Sequence, residues 1–201
     1  MTSAKYLGVT ITKDLNWDEH INNQCSKANK TLKFLRRNLK ISSTGIKEKA
    51  YKALVRPHLE YASSVWDPHT DKNINKIEGV QRRAARFALN RYRNTSSVGS
   101  MLNTLGWPSL RKRRQTARLS MLYKILNGIV HCNLKEKLIP LPERKRRGHN
   151  KQFRLIPART QYRAASFLPK TIQNWNNLPH EGVEATTNDT FVSLLSEQIS
   201  D

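Results

Sequence analysis

The sequence predicts a mainly α protein: an N-terminal β-strand, a helical bundle, and a basic, loop-rich region with short helices. Three observations carry this expectation. Leu7, Val9 and Ile11 alternate with polar or small residues, the two-residue period of a half-buried strand. From Asp18 to Leu126 apolar residues recur mostly at helical spacings of three and four. Residues 140–165 lose that period and carry prolines and a dense run of cations. The chain divides accordingly into residues 1–16, 17–95, 96–180 and an acidic 181–201.

Taken in order, Tyr6–Ile11 reads as one strand, closed by the polar turn Thr12-Lys13-Asp14. A strand cannot satisfy its own ladder, and no nearby segment reads as its partner, so the rest of its sheet is expected upstream of Met1. The next segment, Asp18 to about Lys40, places Ile21, Cys25, Ala28, Leu32, Leu35 and Leu39 at 4-3-4-3-4 spacing. Lys30, Lys33, Arg37 and Lys40 form a second, basic face of the same helix. Asn16 or Asp18 is the expected cap, and Cys25 lies on the apolar stripe as a small core residue.

After the break Ser42-Ser43-Thr44-Gly45, a helix is expected over Ile46–Trp66, with Ala50, Leu54, Tyr61, Val65 and Trp66 inward. Pro57 should kink or divide it. Asp71–Leu89 follows, with Ile74, Ile77, Gln81, Ala84, Ala85 and Ala88 inward and Lys76, Arg82, Arg83 and Arg86 on other faces. A short helix Val98–Leu105 and a turn Gly106-Trp107-Pro108-Ser109 lead to a long basic helix, Leu110–Asn127. Arg111, Lys112, Arg113, Arg114 and Arg118 crowd its first half; Leu119, Met121, Leu122, Ile125 and Leu126 occupy its second. Gly128 is the expected helix-ending residue. Cations in a first turn oppose the helix dipole, a penalty that a bound phosphate would reverse.

Residues 140–165 read as an extended basic loop with a strand at Phe153–Ile156. The tetrad Arg144-Lys145-Arg146-Arg147 has the composition of a nuclear localisation signal. Beyond it a short helix runs through Ile172 and Trp175. A last helix, Phe191–Ile199, has Thr187, Asn188 and Asp189 as cap candidates.

The charge narrows the function. The 201 residues hold 36 Lys plus Arg against 15 Asp plus Glu, a net charge of +21. By region it is +7 over residues 1–60, +10 over 61–130, +9 over 131–180 and −5 over 181–201. The excess is thus spread through most of the predicted elements, which makes a polyanion the expected ligand. A mean hydropathy of −0.68 and the lack of a long apolar run exclude a membrane-spanning helix. With no apolar leader and two cysteines, Cys25 and Cys132, a reducing intracellular setting, nucleus or cytoplasm, is expected.

Catalytic signatures are absent. No two of the six aspartates are adjacent, and Pro68 separates Asp67 from Asp71, so a paired-carboxylate centre is not evident. His131, Cys132 and His149 lack zinc-site spacing, and no metal site is expected in this chain. Nucleophile-elbow, P-loop and dinucleotide-binding motifs are missing as well.

A set of short strings, in order along nearly the whole chain, resembles one family. Tyr6-Leu7-Gly8-Val9, Leu15-Asn16-Trp17 and His20-Ile21 come first. Leu59-Glu60-Tyr61-Ala62-Ser63-Ser64-Val65-Trp66 and the stretch Ile77 to Arg86 follow. Leu105 to Leu110 comes next, then Arg113-Arg114, Arg163 to Phe167-Leu168-Pro169, and Trp175-Asn176-Asn177-Leu178-Pro179. Together they resemble the C-terminal part of the reverse transcriptase of LINE-type, non-LTR retrotransposons of the jockey kind. The resemblance implies that Tyr6, Leu7, Gly8 and Val9 form a primer-grip-like strand at the end of the palm. It also implies that residues 17–95 form a thumb-like helical domain clasping template–primer duplex, followed by a C-terminal extension. Polymerase activity does not carry over to this chain, because the F/Y-x-D-D aspartates that hold Mg2+ would lie upstream.

Composition and resemblance therefore converge on non-specific contact with RNA, DNA or an RNA–DNA hybrid. The residues expected to meet phosphates are Lys30, Lys33, Arg37, Lys40, Arg82, Arg83, Arg86, Arg111, Arg113, Arg114 and Arg118. An upstream palm domain is the expected protein partner of a full-length polymerase. Two alternatives stand beside this reading: a host-retained helical binding module anchored by Trp66, Trp107 and Trp175, and a non-functional transposon relic.

Overall fold

A computed structural model describes residues 3–93, 95–142 and 149–198. The chain is mainly helical, with a small N-terminal sheet, and divides into two compact units, Met1–Arg111 and Lys112–Asp201.

The first unit opens with a hairpin in place of a lone strand. β1 (Ser3–Tyr6) pairs antiparallel with β2 (Val9–Thr12), Tyr6 opposite Val9 and Ser3 opposite Thr12. The expectation of a missing partner is corrected: the ladder is closed by Ser3-Ala4-Lys5, which has no apolar alternation to announce it. The turn is Leu7-Gly8, both at positive φ (44° and 82°), the mirror-image geometry that matches the twist of two-residue hairpins. A Cβ on Gly8 would lie 3.3 Å from the Tyr61 ring, so glycine serves both the turn and this approach. The Tyr61 hydroxyl donates to the Leu7 carbonyl at 2.9 Å.

α1 (Asp18–Asn38) buries the expected stripe, Ile21, Cys25, Ala28, Leu32 and Leu35, with Leu39 half-buried just past its end. Each fully buried Leu or Ile contributes about 1.5–3 kcal/mol. Asn16 Oδ1 accepts from the Asp18 N–H at 2.8 Å, so Asn16 satisfies one of the free donors of the first turn. Asp18 instead reaches sideways to Asn73 and Lys72, and those hydrogen bonds, Asn73 first, hold its carboxyl below the usual range.

The segment expected as one helix is divided. α2 (Thr44–Ala50) widens into one π turn (Tyr51–Val55), continues as α3 (Arg56–Glu60), breaks at Ala62 (φ 52°) and resumes as α4 (Ser63–Trp66). Pro57 stands at the head of α3, directly after the wide turn. The wide turn changes which residues face inward. Lys47, Tyr51, Val55, Leu59, Ser63 and Trp66 are buried, whereas the expected Leu54, Tyr61 and Val65 are exposed.

α5 (Asp71–Leu89) packs along α1, and its inward face holds Asn73, Ile77, Val80, Gln81, Ala84, Ala85, Phe87 and Ala88. Three cross-helix pairs, Lys72–Asp18, Lys76–Asn22 and Arg83–Asn29, share one offset of 54 residues. A constant offset means that the two helices run parallel. α6 (Val98–Thr104) and the turn at Gly106 return the chain to this core. Tyr51 stacks on Trp107 with centroids 4.3 Å apart. Its hydroxyl donates to Gln81 Oε1 at 3.0 Å, while Gln81 Nε2 donates to the Pro108 carbonyl at 2.8 Å. Gln81 is buried without cost because both ends of its amide are bonded.

α7 (Leu110–Leu126) begins in the first unit, and its remaining residues belong to the second. Gly128 lies at φ 72°, and the Ile129 N–H returns to the Lys124 carbonyl, as expected of a glycine-closed helix end. The second unit adds α8 (Gln161–Ala165), α9 (Phe167–Asn176), α10 (His180–Val183) and α11 (Asn188–Gln198) around Leu119, Leu122, Ile172, Trp175, Phe191 and Leu195. Where a strand was expected at Phe153–Ile156, one bridge joins Pro140 and Phe153. Asn176 replaces a strand neighbour there: its amide accepts from the Phe153 N–H (3.0 Å) and donates to the Phe153 carbonyl (2.7 Å). Thr187 caps α11 by accepting from the Thr190 N–H. Among the described residues no helix is long and apolar enough to cross a membrane.

Candidate nucleic-acid interface

Between Glu19 and Glu48 the sequence has no acidic residue. The cations of the second half of α1 therefore have no carboxylate within a helical turn of them on that helix. The arrangement suits the helix itself, with Asp18 and Glu19 in the first turn and Arg36 and Arg37 in the last, each complementing the dipole. It also concentrates positive charge. A surface depression of about 540 Å³ is lined by Lys30, Lys33, Arg36, Arg37 and Lys40, with no carboxylate among them. A second, of about 390 Å³, shares Lys33 and Arg36 and adds Asn29, Leu32 and Arg83. Arg83 is held there by its Nε–H, which donates to Asn29 Oδ1 at 3.1 Å.

Beneath this face lies Lys47, 1 % exposed. Its ammonium donates to the Lys40 carbonyl (3.3 Å) and to Asn90 Oδ1 (2.7 Å) and sits 5.5 Å from the Phe87 ring centroid. It ties the end of α1 to the left-handed cap of α5 at Asn90 (φ 53°).

The expected phosphate contacts thus separate. Lys30, Lys33, Arg37, Lys40, Arg82 and Arg83 are exposed in the first unit, and Arg86 is half-buried. Arg82 donates back to the Asn75 carbonyl on its own helix at 3.2 Å. Arg111 is exposed and Arg113 half-buried. Arg114 and Arg118 are corrected: at 1 % and 3 % exposure they are closed to a phosphate arriving from solvent. Arg118 donates instead to Asn174 Oδ1 on α9 at 3.2 Å. A hydrophobic count alone did not foresee this, because an arginine stem packs like an aliphatic chain once its head has a partner. Arg36 was missed by sequence spacing because it falls between the basic repeat and the apolar stripe.

The dipole penalty expected at the start of α7 is met within the protein. The Glu78 carboxylate on α5 accepts from the N–H groups of Leu110 (3.2 Å) and Arg111 (2.8 Å). A carboxylate, and not a bound phosphate, occupies that helix end.

Tyr6, Leu7, Gly8 and Val9, expected as one primer-grip-like strand, instead form the hairpin tip. Tyr6 and Leu7 are exposed at 68 % and 73 %, Gly8 makes the turn, and Val9 enters the core. His20, the histidine of the resemblance, is fully buried under the hairpin. Its Nδ1 accepts from the Thr10 N–H at 3.1 Å, and its ring meets Trp66 edge-on at 5.2 Å. Burial, with a smaller contribution from Lys27, pushes its pKa below 6.5.

Trp66, Trp107 and Trp175 are all buried, so they are core residues and offer no exposed anchor for a protein partner. Among the described residues no group of three His, Cys, Asp or Glu side chains could hold a metal ion. Asp18 is committed to Asn73 and Lys72, and Asp67 and Asp71 flank a turn, so these carboxylates do not fit a two-metal centre. The basic tetrad at 144–147 lies outside the described residues. In the second unit a depression of about 690 Å³ has a mainly apolar floor that includes Ile139, Leu155 and Phe167, a poor match to a phosphate backbone.

No protein-family model, curated protein or solved structure matches this chain.

Proposed function

We propose that this chain grips the backbone of a nucleic acid through the basic face of α1 and Arg83 of α5. We further propose that it does so as the thumb-like part of a LINE-type, non-LTR retrotransposon reverse transcriptase. The observation that carries the reading is the pair of adjoining depressions lined by Lys30, Lys33, Arg36, Arg37, Lys40 and Arg83 without a carboxylate. Such a surface carries electrostatic self-repulsion that a row of phosphates relieves. The ordered resemblance along the chain supports the family. Nucleotidyl transfer is not part of the role proposed for this chain, since among the described residues no group of carboxylates that could hold a metal ion is found; that chemistry would come from palm aspartates with Mg2+.

Charge reversal tests it. K33E combined with R37E should weaken binding to a short duplex at least tenfold at low salt, with an unchanged helical circular dichroism spectrum. Unchanged affinity in a folded double variant would refute the groove.

A further inference from the structure

The basic groove does not end in a cation. Arg36, which lines both depressions, lays its guanidinium over the ring of Tyr92, with Cζ 5.0 Å from the centroid. Tyr92 lies just beyond α5, where Asn90 turns left-handed and the Arg91 N–H returns to the Arg86 carbonyl at 3.1 Å. That turn leaves Tyr92 48 % exposed between two exposed cations, Arg91 and Arg93. An aromatic residue this exposed gains little from packing. Here it is flanked by charge on both sides in sequence and covered by charge from α1.

We propose that Tyr92 is a stacking platform for an unpaired base of a single-stranded nucleic acid whose phosphates run along the α1 groove. This rests on the groove reading above and names which form of nucleic acid the site takes. The chemistry is specific to an open strand. A base within a duplex has both faces occupied by its neighbours, whereas an unpaired base has a face free for an aromatic ring. Stacking of this kind tolerates any base, because every base has a π face. Arg36 serves both halves of the site: it meets phosphates in the groove and orients the ring through the cation–π contact. A junction, where paired and unpaired segments meet, would engage groove and ring together.

The test uses the full chain and three fluorescein-labelled probes at one low salt concentration: a 12-nucleotide thymidine strand, the same strand with abasic interior positions, and a 12-base-pair duplex. The native chain should prefer the base-bearing strand over the abasic one by roughly tenfold, within the range for one base–aromatic stack. Y92L should bring that ratio close to one and leave duplex affinity unchanged, while Y92F and Y92W keep the ratio. Equal affinity of the native chain for the base-bearing and abasic strands, or a native ratio in Y92L, would overturn this inference and leave the groove standing. Failure to bind any of the three probes would overturn the groove reading and this inference with it.

Discussion

Arg83 on α5 donates its Nε–H to Asn29 Oδ1 on α1 at 3.1 Å, and that one bond adds a second helix to what would otherwise be a single-helix basic stripe. It is one of three pairs at the same 54-residue offset, so parallel packing of the helices brings Arg83 to the rim beside Lys33 and Arg36. A cation held in this way loses less freedom on meeting a phosphate than a solvated one. R83Q should therefore weaken binding to all sequences alike and make the log–log salt slope shallower by about one. A sequence-dependent loss, measured by anisotropy across several duplexes, would contradict a backbone-only contact.

Glu78 closes the N-terminus of α7 by accepting from Leu110 and Arg111. E78Q keeps the shape and removes the charge, which should lower unfolding stability by about 1–2 kcal/mol in urea titration. Nucleic-acid affinity should not fall, since the lost charge is negative. A stability equal to that of the native chain would mean the carboxylate does not cap that helix.

His20 makes the first unit sensitive to acid. Its folded pKa lies below 6.5, chiefly through burial. The unfolded chain thus takes up a proton at a pH where the folded one does not, and stability falls as pH drops below about 6.5. The loss levels off once the folded histidine itself is protonated. H20Q should flatten this part of the stability–pH curve. An unaltered curve in H20Q would assign the acid sensitivity to other groups.

Lys47 is a buried cation whose donors are used by Lys40 and Asn90. K47A should cost about 2–4 kcal/mol, through a cavity and two acceptors left without a donor. K47M, which refills the volume, should recover part of that loss. If K47A were as stable as the native chain, the tie between α1 and α5 at this point would carry no weight.

The legibility of the fold follows from how each element buries its face. α1 and α5 were readable because a regular helix repeats its apolar residues at three and four, and their buried residues largely fall on the expected stripes. The segment from Thr44 to Trp66 was not. Its true inward row, Lys47, Tyr51, Val55, Leu59 and Ser63, repeats strictly at four and begins and ends with polar residues. A wide turn keeps that row on one face, and hydropathy hides it. The hairpin is not legible because Ser3-Ala4-Lys5 contributes backbone pairing and no apolar alternation. Of the candidate interface, the α1 cations were plain in the spacing. Arg114 and Arg118 misled, since charge alone does not say whether a side chain is open to solvent. Tyr92 gave no periodic signal, being one aromatic residue whose role depends on a guanidinium 56 positions earlier in the chain.

A backbone-gripping groove on α1 and α5 would show itself first in electrolyte sensitivity. The most direct measurement is the salt dependence of its affinity for a short duplex of arbitrary sequence. Five to eight phosphate contacts predict a slope of log K against log [salt] of roughly −4 to −7. A slope shallower than about −2 would contradict the groove.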